Sequence, residues 1–541
     1  MIQANEEIPF DDILIEYGEF GRYQKWIYSL LCLIILVTPA QSLIMGFLSE
    51  DVDHWCKISE WDSVDCGHFG FNTSRQCDLG KRAVGIPWNY SDNDQTEKVY
   101  SSCTRYNTHG VEFSPDLDLG GYPVMPCDAG WEYGEVESGG TTLIKDYDAV
   151  CGQYYFVALT QTLYFVGTGF GSIFTGVLSD RFGRRTVGFL CLASTIVSGV
   201  GLAFSPNIIM FLVLRCIVGL ANSGILYSTF VLANEIVGPS KRNWAGNVIW
   251  LFYSLGYMGL ALLAYLIRNW RYLQLTVSVI PVLLLITGLT IPESPRWLLM
   301  RGRKKEAEDI IKRLARWNKV EIKEAFNMDK VAAKSDEGGG LKRDLIELFR
   351  HPKLRCYTIN LVWQLIAVSI VYYGISLGTD SLGVNIYVAF AVSGAVEIPA
   401  SFFAVFAIEY WSRRPTYMAM QLLCGAVLLA SGFLPQGIGK TVLAMVGKFA
   451  VSAAFNIIDL RGCEIFPTVV RNTGLGLIWS CSSFANILVP QFLVFRRWWT
   501  PLPEVIFGSV ALSAGALSYL LPETKGKKIP ETLDDGENIG W

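Results

Sequence analysis

Two carboxylates stand inside otherwise apolar stretches of the chain, Glu397 and Asp459. An ionisable group at that depth is costly to keep and marks a binding or ion-handling role by default; the alternative is a buried hydrogen bond between helices. Aromatic residues accompany them. Trp250, Tyr253 and Tyr257 recur at i, i+3 and i+7, one stripe of a helix. Trp363, Tyr372 and Tyr373 share a second stretch, where Trp363 and Tyr372 lie about half a turn out of phase and cannot face one pocket equally. Aromatic faces attract a desolvated cation with about 2 kcal/mol, although packing between helices is the commoner fate of such rings. Asp459 and Arg461, two residues apart, do not face each other. This chemistry recognises a small organic ion without making or breaking bonds. The four histidines, at positions 54, 68, 109 and 351, show no metal-ligand or triad spacing, and no glycine-rich run precedes a Lys-Ser or Lys-Thr pair. The expectation is no metal, no cofactor and no enzyme activity.

The elements that carry these residues follow from composition. Of 541 residues 51% are hydrophobic and 17% charged, and mean hydropathy is +0.33. The apolar residues cluster into runs long enough to cross a bilayer, at 26–48, 152–177, 186–204, 208–233, 246–267, 272–291, 356–378, 384–408, 416–434, 440–462, 474–495 and 503–521. That pattern excludes a soluble enzyme, a nucleic-acid binder and a disordered scaffold. Two hydrophilic segments interrupt it, 49–151 and 293–355. The second carries 17 Lys and Arg from Arg296 to Arg355; the first carries 7 basic and 19 acidic residues. The positive-inside rule places both termini and the basic segment in the cytosol and the acidic segment outside. Arg181, Arg184 and Arg185, and Arg413 and Arg414, agree in short loops. The acidic first 25 residues lack the basic region of a cleavable signal peptide.

Six of 13 cysteines fall in or at the edge of the outer segment: Cys56, Cys66, Cys77, Cys103, Cys127 and Cys151. An even set in a polar loop reads as a disulfide framework in an oxidising compartment, its pairing open. Asn72 and Asn89 begin glycosylation sequons there. In the basic segment, 298–318 reads as an amphipathic helix, with Ala307, Ile310, Ile311 and Leu314 on one face, and Gly338–Gly340 as a flexible link. The expected organisation is a cytosolic amino terminus (1–25), a first six-helix bundle including the loop (26–292), the basic loop (293–355), a second bundle (356–522) and a cytosolic tail (523–541).

The two halves repeat. Asp180, Arg184 and Arg185 recur as Glu409, Arg413 and Arg414 at an offset of 229 residues; Glu235 and Arg242 recur as Glu464 and Arg471 at the same offset. Pro292-Glu293 recurs as Pro522-Glu523, offset by 230. Both copies begin and end on the same side, which predicts an all-α integral membrane protein of twelve helices in two parallel six-helix repeats, with substrate between them.

These markers carry a resemblance. Gly176-Val-Leu-Ser-Asp180-Arg-Phe-Gly-Arg184-Arg185, Pro292-Glu-Ser-Pro-Arg-Trp297 and Pro522-Glu-Thr-Lys-Gly526 resemble the signatures of the major facilitator superfamily. Phe20-Gly-Arg-Tyr-Gln24, the six-cysteine loop, Ala264-Tyr265 through Trp270-Arg-Tyr-Leu-Gln-Leu-Thr276, Val396-Glu-Ile-Pro399 and Phe466-Pro-Thr-Val-Val-Arg-Asn472 are similar to its organic ion transporter family. The resemblance implies that Asp180, Arg184, Arg185, Glu235, Glu409, Arg413, Arg414, Glu464 and Arg471 gate the cytosolic side. It implies that Trp250, Tyr253, Tyr257, Tyr372, Tyr373, Glu397, Phe455 and Asp459 line the substrate site. Where cation carriers of the family have Asp and anion or carnitine carriers have Arg this chain has Ser483, and Ser223 stands where cation carriers often have Lys. The two carboxylates then point to an organic cation or zwitterion, amine- or carnitine-like, carried as a facilitator or exchanger. Proton-driven relatives place a carboxylate in the first span, and 26–48 contains none. Alternatives are an organic anion transporter, a sugar facilitator (whose paired glutamines Leu361–Ile366 lacks) and a non-transporting receptor on the same scaffold. The expected setting is the plasma membrane, with a small organic ion and the lipid bilayer as partners, no nucleic acid, and a monomer or a weak oligomer through the outer loop.

Overall fold

The computed structural model describes residues 8–64, 66–69, 71, 73–90, 98–134, 139–320, 331–332, 341–527, 530 and 532–537. Asn72 and Gly338–Gly340 lie outside the described residues, as does the side chain of Cys66. Among those described, 12 helices are long and apolar enough to cross a membrane. Spans 1 to 6 are Arg22–Leu48, Cys151–Phe182, Arg184–Ala203, Ile208–Ile236, Pro239–Leu266 and Trp270–Gly288. Spans 7 to 12 are Pro352–Leu377, Ile386–Tyr410, Arg413–Gly432, Ile438–Ile465, Thr473–Arg497 and Leu502–Leu520. Only helices and closed barrels satisfy every backbone group in hydrocarbon, which is why apolar runs of this length fold this way. Spans 5 and 7 begin several residues earlier than hydropathy suggests, at Pro239 and Pro352. Polarity marks where a helix leaves the apolar layer, whereas the proline at the first helical position marks where the helix starts.

Each half has its own apolar core. Leu31, Leu192, Ile225 and Ile249 meet in the first; Leu361, Val368, Ile457 and Phe507 meet in the second. The sequence repeat reappears as repeated contacts. Glu293, just beyond span 6, accepts from the backbone N–H of Arg185 and Thr186 at the start of span 3. Glu523, just beyond span 12, accepts from those of Arg413 and Arg414 at the start of span 9. A carboxylate at a helix amino terminus satisfies orphan donors and the helix dipole together.

Phe47–Val157 with Arg268–Trp270 forms a compact unit of its own rather than an extension of the first bundle. It has what an independent unit needs: an apolar cluster around Trp55, Ile58, Trp61, Ile86 and Phe113, and the disulfides Cys56–Cys127 and Cys103–Cys151. Cys77 is also disulfide-bonded. Arg268–Trp270 joins it through a backbone bond from Thr141 and the bond from Trp270 Nε1 to Asp146. Asn89 is exposed on a short hairpin, paired with Val99. Fully buried Arg105 reaches Glu60 at 3.1 Å and Asp128 at 2.8 Å.

The expected amphipathic helix is two helices, Pro295–Met300 and Lys304–Asn318, broken at Gly302, whose φ of 72° suits glycine. Ala307, Ile311 and Leu314 are buried as the periodicity requires, and Glu308 pairs with Lys312 at 2.6 Å. Asn318 at its end donates to Tyr17 O and Gln24 Oε1 and accepts from Tyr23 N, tying this helix to the start of span 1.

Candidate functional site

A cavity of about 100 Å³ lies between the halves. The first half supplies Leu226 from span 4 and Trp250, Tyr253 and Ser254 from span 5. The second supplies Tyr372 and Tyr373 from span 7, Glu397 and Ser401 from span 8, Ser452, Phe455, Asn456 and Asp459 from span 10, and Trp479 from span 11. The rings support one another edge to face or tilted. Trp250 lies 6.0 Å from Tyr253, Tyr372 lies 5.9 Å from Phe455, and Phe455 lies 5.6 Å from Trp479. Such pairing fixes the aromatic walls.

The two carboxylates differ in their surroundings. Glu397 is 5% exposed and fully engaged. Tyr372 Oη donates to its Oε1 at 2.6 Å and Ser254 Oγ to its Oε2 at 2.8 Å. Lys448 Nζ, from span 10, stands 2.9 Å from Oε1, donates to Ser376 Oγ at 2.5 Å and lies 3.3 Å from the centre of the Tyr372 ring. Asp459 has none of this. Its Oδ1 is buried without a hydrogen-bond partner, and among the described residues no cation pairs with its carboxylate. Arg461 is turned to span 12, bonding Ser518 Oγ at 2.7 Å and Pro522 O at 3.4 Å. Glu397 is therefore paired with its neighbour, and among the described residues Asp459 is the cavity carboxyl group without a counter-charge.

Of the residues singled out in the sequence, Trp250, Tyr253, Tyr372, Tyr373, Glu397, Phe455 and Asp459 come together. Tyr257, although on the same stripe, packs on Phe390 at 4.4 Å and donates to Ser393 Oγ, bracing span 5 on span 8. Ser223 and Ser483 do not line the cavity; each hydroxyl bonds its own helix backbone, at Leu220 O and Trp479 O. Lys448, Ser254, Asn456 and Trp479 went unnoticed in the sequence. Lys448 carried a readable signal, being an ionisable residue within an apolar stretch like Glu397.

The motif clusters bind within their own halves. Arg184 pairs with Asp180 at 2.9 Å and Glu235 at 3.3 Å; Arg413 pairs with Glu464 at 3.2 Å. Arg185 donates to Leu289 O and Arg471 to Phe466 O, while Glu409 is exposed. Burial alone raises the Glu523 carboxyl, but backbone donors at Lys525, Arg414, Arg413 and Thr524 together hold it below the usual carboxylate range. The halves meet instead near the opposite helix ends. Tyr265 stacks edge-on with Tyr387 at 5.6 Å, and Gln491 donates to Thr162 at 3.0 Å. The clusters fasten each bundle to itself, and among the described residues no ion pair joins the bundles at the motif end.

Residues 136–533 match the sugar (and other) transporter family. The chain is 34% identical to the "Organic cation transporter protein" of Drosophila melanogaster, covering 98% of this chain and 95% of that protein. It is 32% identical to "Solute carrier family 22 member 2" of Homo sapiens, over 98% and 95% of the two chains. The chain belongs to solute carrier family 22 of the sugar (and other) transporters. Its fold is that of the major facilitator superfamily: an inward-open xylose transporter XylE from E. coli superposes with a TM-score of 0.58 at 15% identity, covering 95% of this chain and 99% of that one. A second XylE structure, bound to 6-bromo-6-deoxy-D-glucose, gives 0.59 at 17% identity over 94% and 98% of the two chains. The chain is thus a multi-pass membrane transporter and not an enzyme, and its two-bundle architecture accounts for a cavity bounded by both halves.

Proposed function

We propose that this carrier moves organic cations or zwitterions with a cationic head across the plasma membrane by alternating access. The observation that carries the reading is Asp459, an unpaired carboxylate facing a cavity walled by Trp250, Tyr253, Tyr372, Phe455 and Trp479. A lone carboxylate within a membrane span is costly, and a desolvated ammonium group on those rings balances it and gains cation–π attraction. An anionic solute would have to take Lys448 from Glu397 at 2.9 Å and leave two carboxylates uncompensated. A sugar can hydrogen-bond a carboxylate but brings no charge to balance Asp459. The relatives named as organic cation transporters support the same substrate class. At about 100 Å³ the cavity falls short of the roughly 300–1,000 Å³ typical of organic ligand sites, so separation of the bundles accompanies loading.

The positive-inside pattern supports cytosolic termini and motif clusters, with the disulfide-bonded, sequon-bearing loop outside. The clusters then serve as the inner gate, and each protomer holds a complete site and works as a monomer. Uptake of radiolabelled tetraethylammonium, carnitine, a benzoate and glucose in oocytes tests the reading. The cation is taken up and the benzoate and glucose are not. Asp459→Asn raises the KM for the cation at least about tenfold, equivalent to about 1.4 kcal/mol, at unchanged surface expression. Uptake of the benzoate alone, or unchanged cation kinetics in the variant, overturns it.

A further inference from the structure

The environment of Asp459 has a consequence for energy coupling, which rests on the cation reading above. Among the described residues its neighbours offer no permanent counter-charge. From span 4 comes the phenol Tyr227, its ring edge-on to Trp479 of span 11 at 6.2 Å. Span 10 itself adds Cys463 one turn on, and span 11 adds the uncharged Trp479. Spans 5 and 7 present the phenols Tyr253, Tyr372 and Tyr373, and span 8 presents Glu397, already closed by Lys448. Arg461 faces away to span 12. When the substrate leaves, this carboxylate is again without a partner inside an apolar span, a costly state, and a proton is the smallest cation that relieves it without rearrangement of the neighbouring helices.

We propose that Asp459 carries either a proton or the organic cation, never both, and that the carrier exchanges one for the other across the membrane. On the outer side the carboxylic acid releases its proton to that side as the cation binds the carboxylate. After reorientation the cation leaves on the inner side and the carboxylate takes up a proton there. The protonated carrier returns, so one cation enters as one proton leaves, with no net charge moved. The absence of a carboxylate from span 1 therefore does not exclude proton coupling; the coupling group lies in span 10.

The test uses the purified full chain in proteoliposomes, radiolabelled tetraethylammonium, and membrane voltage clamped near zero with potassium and valinomycin. A lumen more acidic by one pH unit drives about tenfold accumulation of the cation, since a tenfold proton ratio balances a tenfold cation ratio in a one-for-one exchange. Adding tetraethylammonium outside alkalinises the lumen, read by an entrapped pH dye; this needs no variant. Asp459→Asn loses both responses, and Asp459→Glu keeps both. Accumulation that follows an imposed voltage and ignores the pH gradient overturns the exchange while leaving the cation reading intact. No tetraethylammonium flux under any gradient overturns both.

Discussion

The two bundles share a repeat in sequence, yet Lys448 of span 10 and Arg215 of span 4, both buried, keep different company. In the second, Lys448 meets Glu397 directly. In the first, Arg215 is fully buried with neutral company: Gln161 Oε1 at 2.9 Å, Gln41 O at 3.0 Å and the Tyr164 ring at 4.8 Å. Both acidic residues of the cavity come from the second bundle, whereas the first gives it Leu226, Trp250, Tyr253 and Ser254. Duplication preserved the helix-end clasps, whose geometry any carrier of this design needs, and left the interior of each bundle free to specialise. Both bundles give the cavity aromatic and hydroxyl side chains, and among the residues lining it only the second gives carboxylates.

That asymmetry predicts unequal sensitivity. Lys448→Met strands the Glu397 carboxylate and costs about 3–5 kcal/mol, while Glu397→Leu with Lys448→Met together recovers most of the loss, because an apolar pair needs no compensation. Thermal unfolding of the purified carrier in detergent reads both. Arg215→Met removes two hydrogen bonds but strands no opposite charge, and costs about 1–3 kcal/mol; a loss as large as that of Lys448→Met would erase the distinction between the bundles. At the clasps the halves should behave alike. Glu235→Gln and Glu464→Gln each cost about 1–3 kcal/mol, a similar loss in both halves, as two pairs at 3.3 and 3.2 Å with side chains no more than 16% exposed imply. A large difference between them would show that the repeat is geometric only.

The smallest effect belongs to the loop unit and serves as a reference outside both bundles. The Arg105 hydrogen bond holds the Asp128 carboxyl below its usual range. Its contribution is complete above the unfolded-state carboxylate value near pH 4 and is lost as pH falls through the lower folded value. Asp128 is 43% exposed, so solvent screens the pair. Unfolding monitored from pH 7 to 3 should show this loss in the wild type and its absence in Asp128→Asn; destabilisation as pH rises instead would reverse the sign.

Much of the site was legible because membrane burial makes charge conspicuous. Glu397 and Asp459 announced themselves by depth, and Trp250 and Tyr253 by helical spacing. The same rule applied evenly would have found Lys448. What spacing could not tell is which way a stripe turns once helices pack. Tyr257 continues the stripe of Trp250 and Tyr253 but is absorbed by Phe390 and Ser393, and Ser223 and Ser483 turn back on their own backbones. The break at Gly302 escaped because hydrophobic periodicity on its two sides stays nearly in phase. The loop's independence escaped because disulfide and core contacts join residues far apart in sequence.

Composition and repetition alone determined twelve bilayer crossings and a duplicated bundle, since hydrocarbon leaves the backbone almost no other choice and a nearly constant offset of 229 or 230 residues has no other economical explanation. Only the tertiary structure decided which of two intramembrane acids lacks a counter-charge. Glu397 and Asp459 look equivalent in an apolar helix, and the difference between them is a lysine on a neighbouring span, placed 2.9 Å from one and withheld from the other.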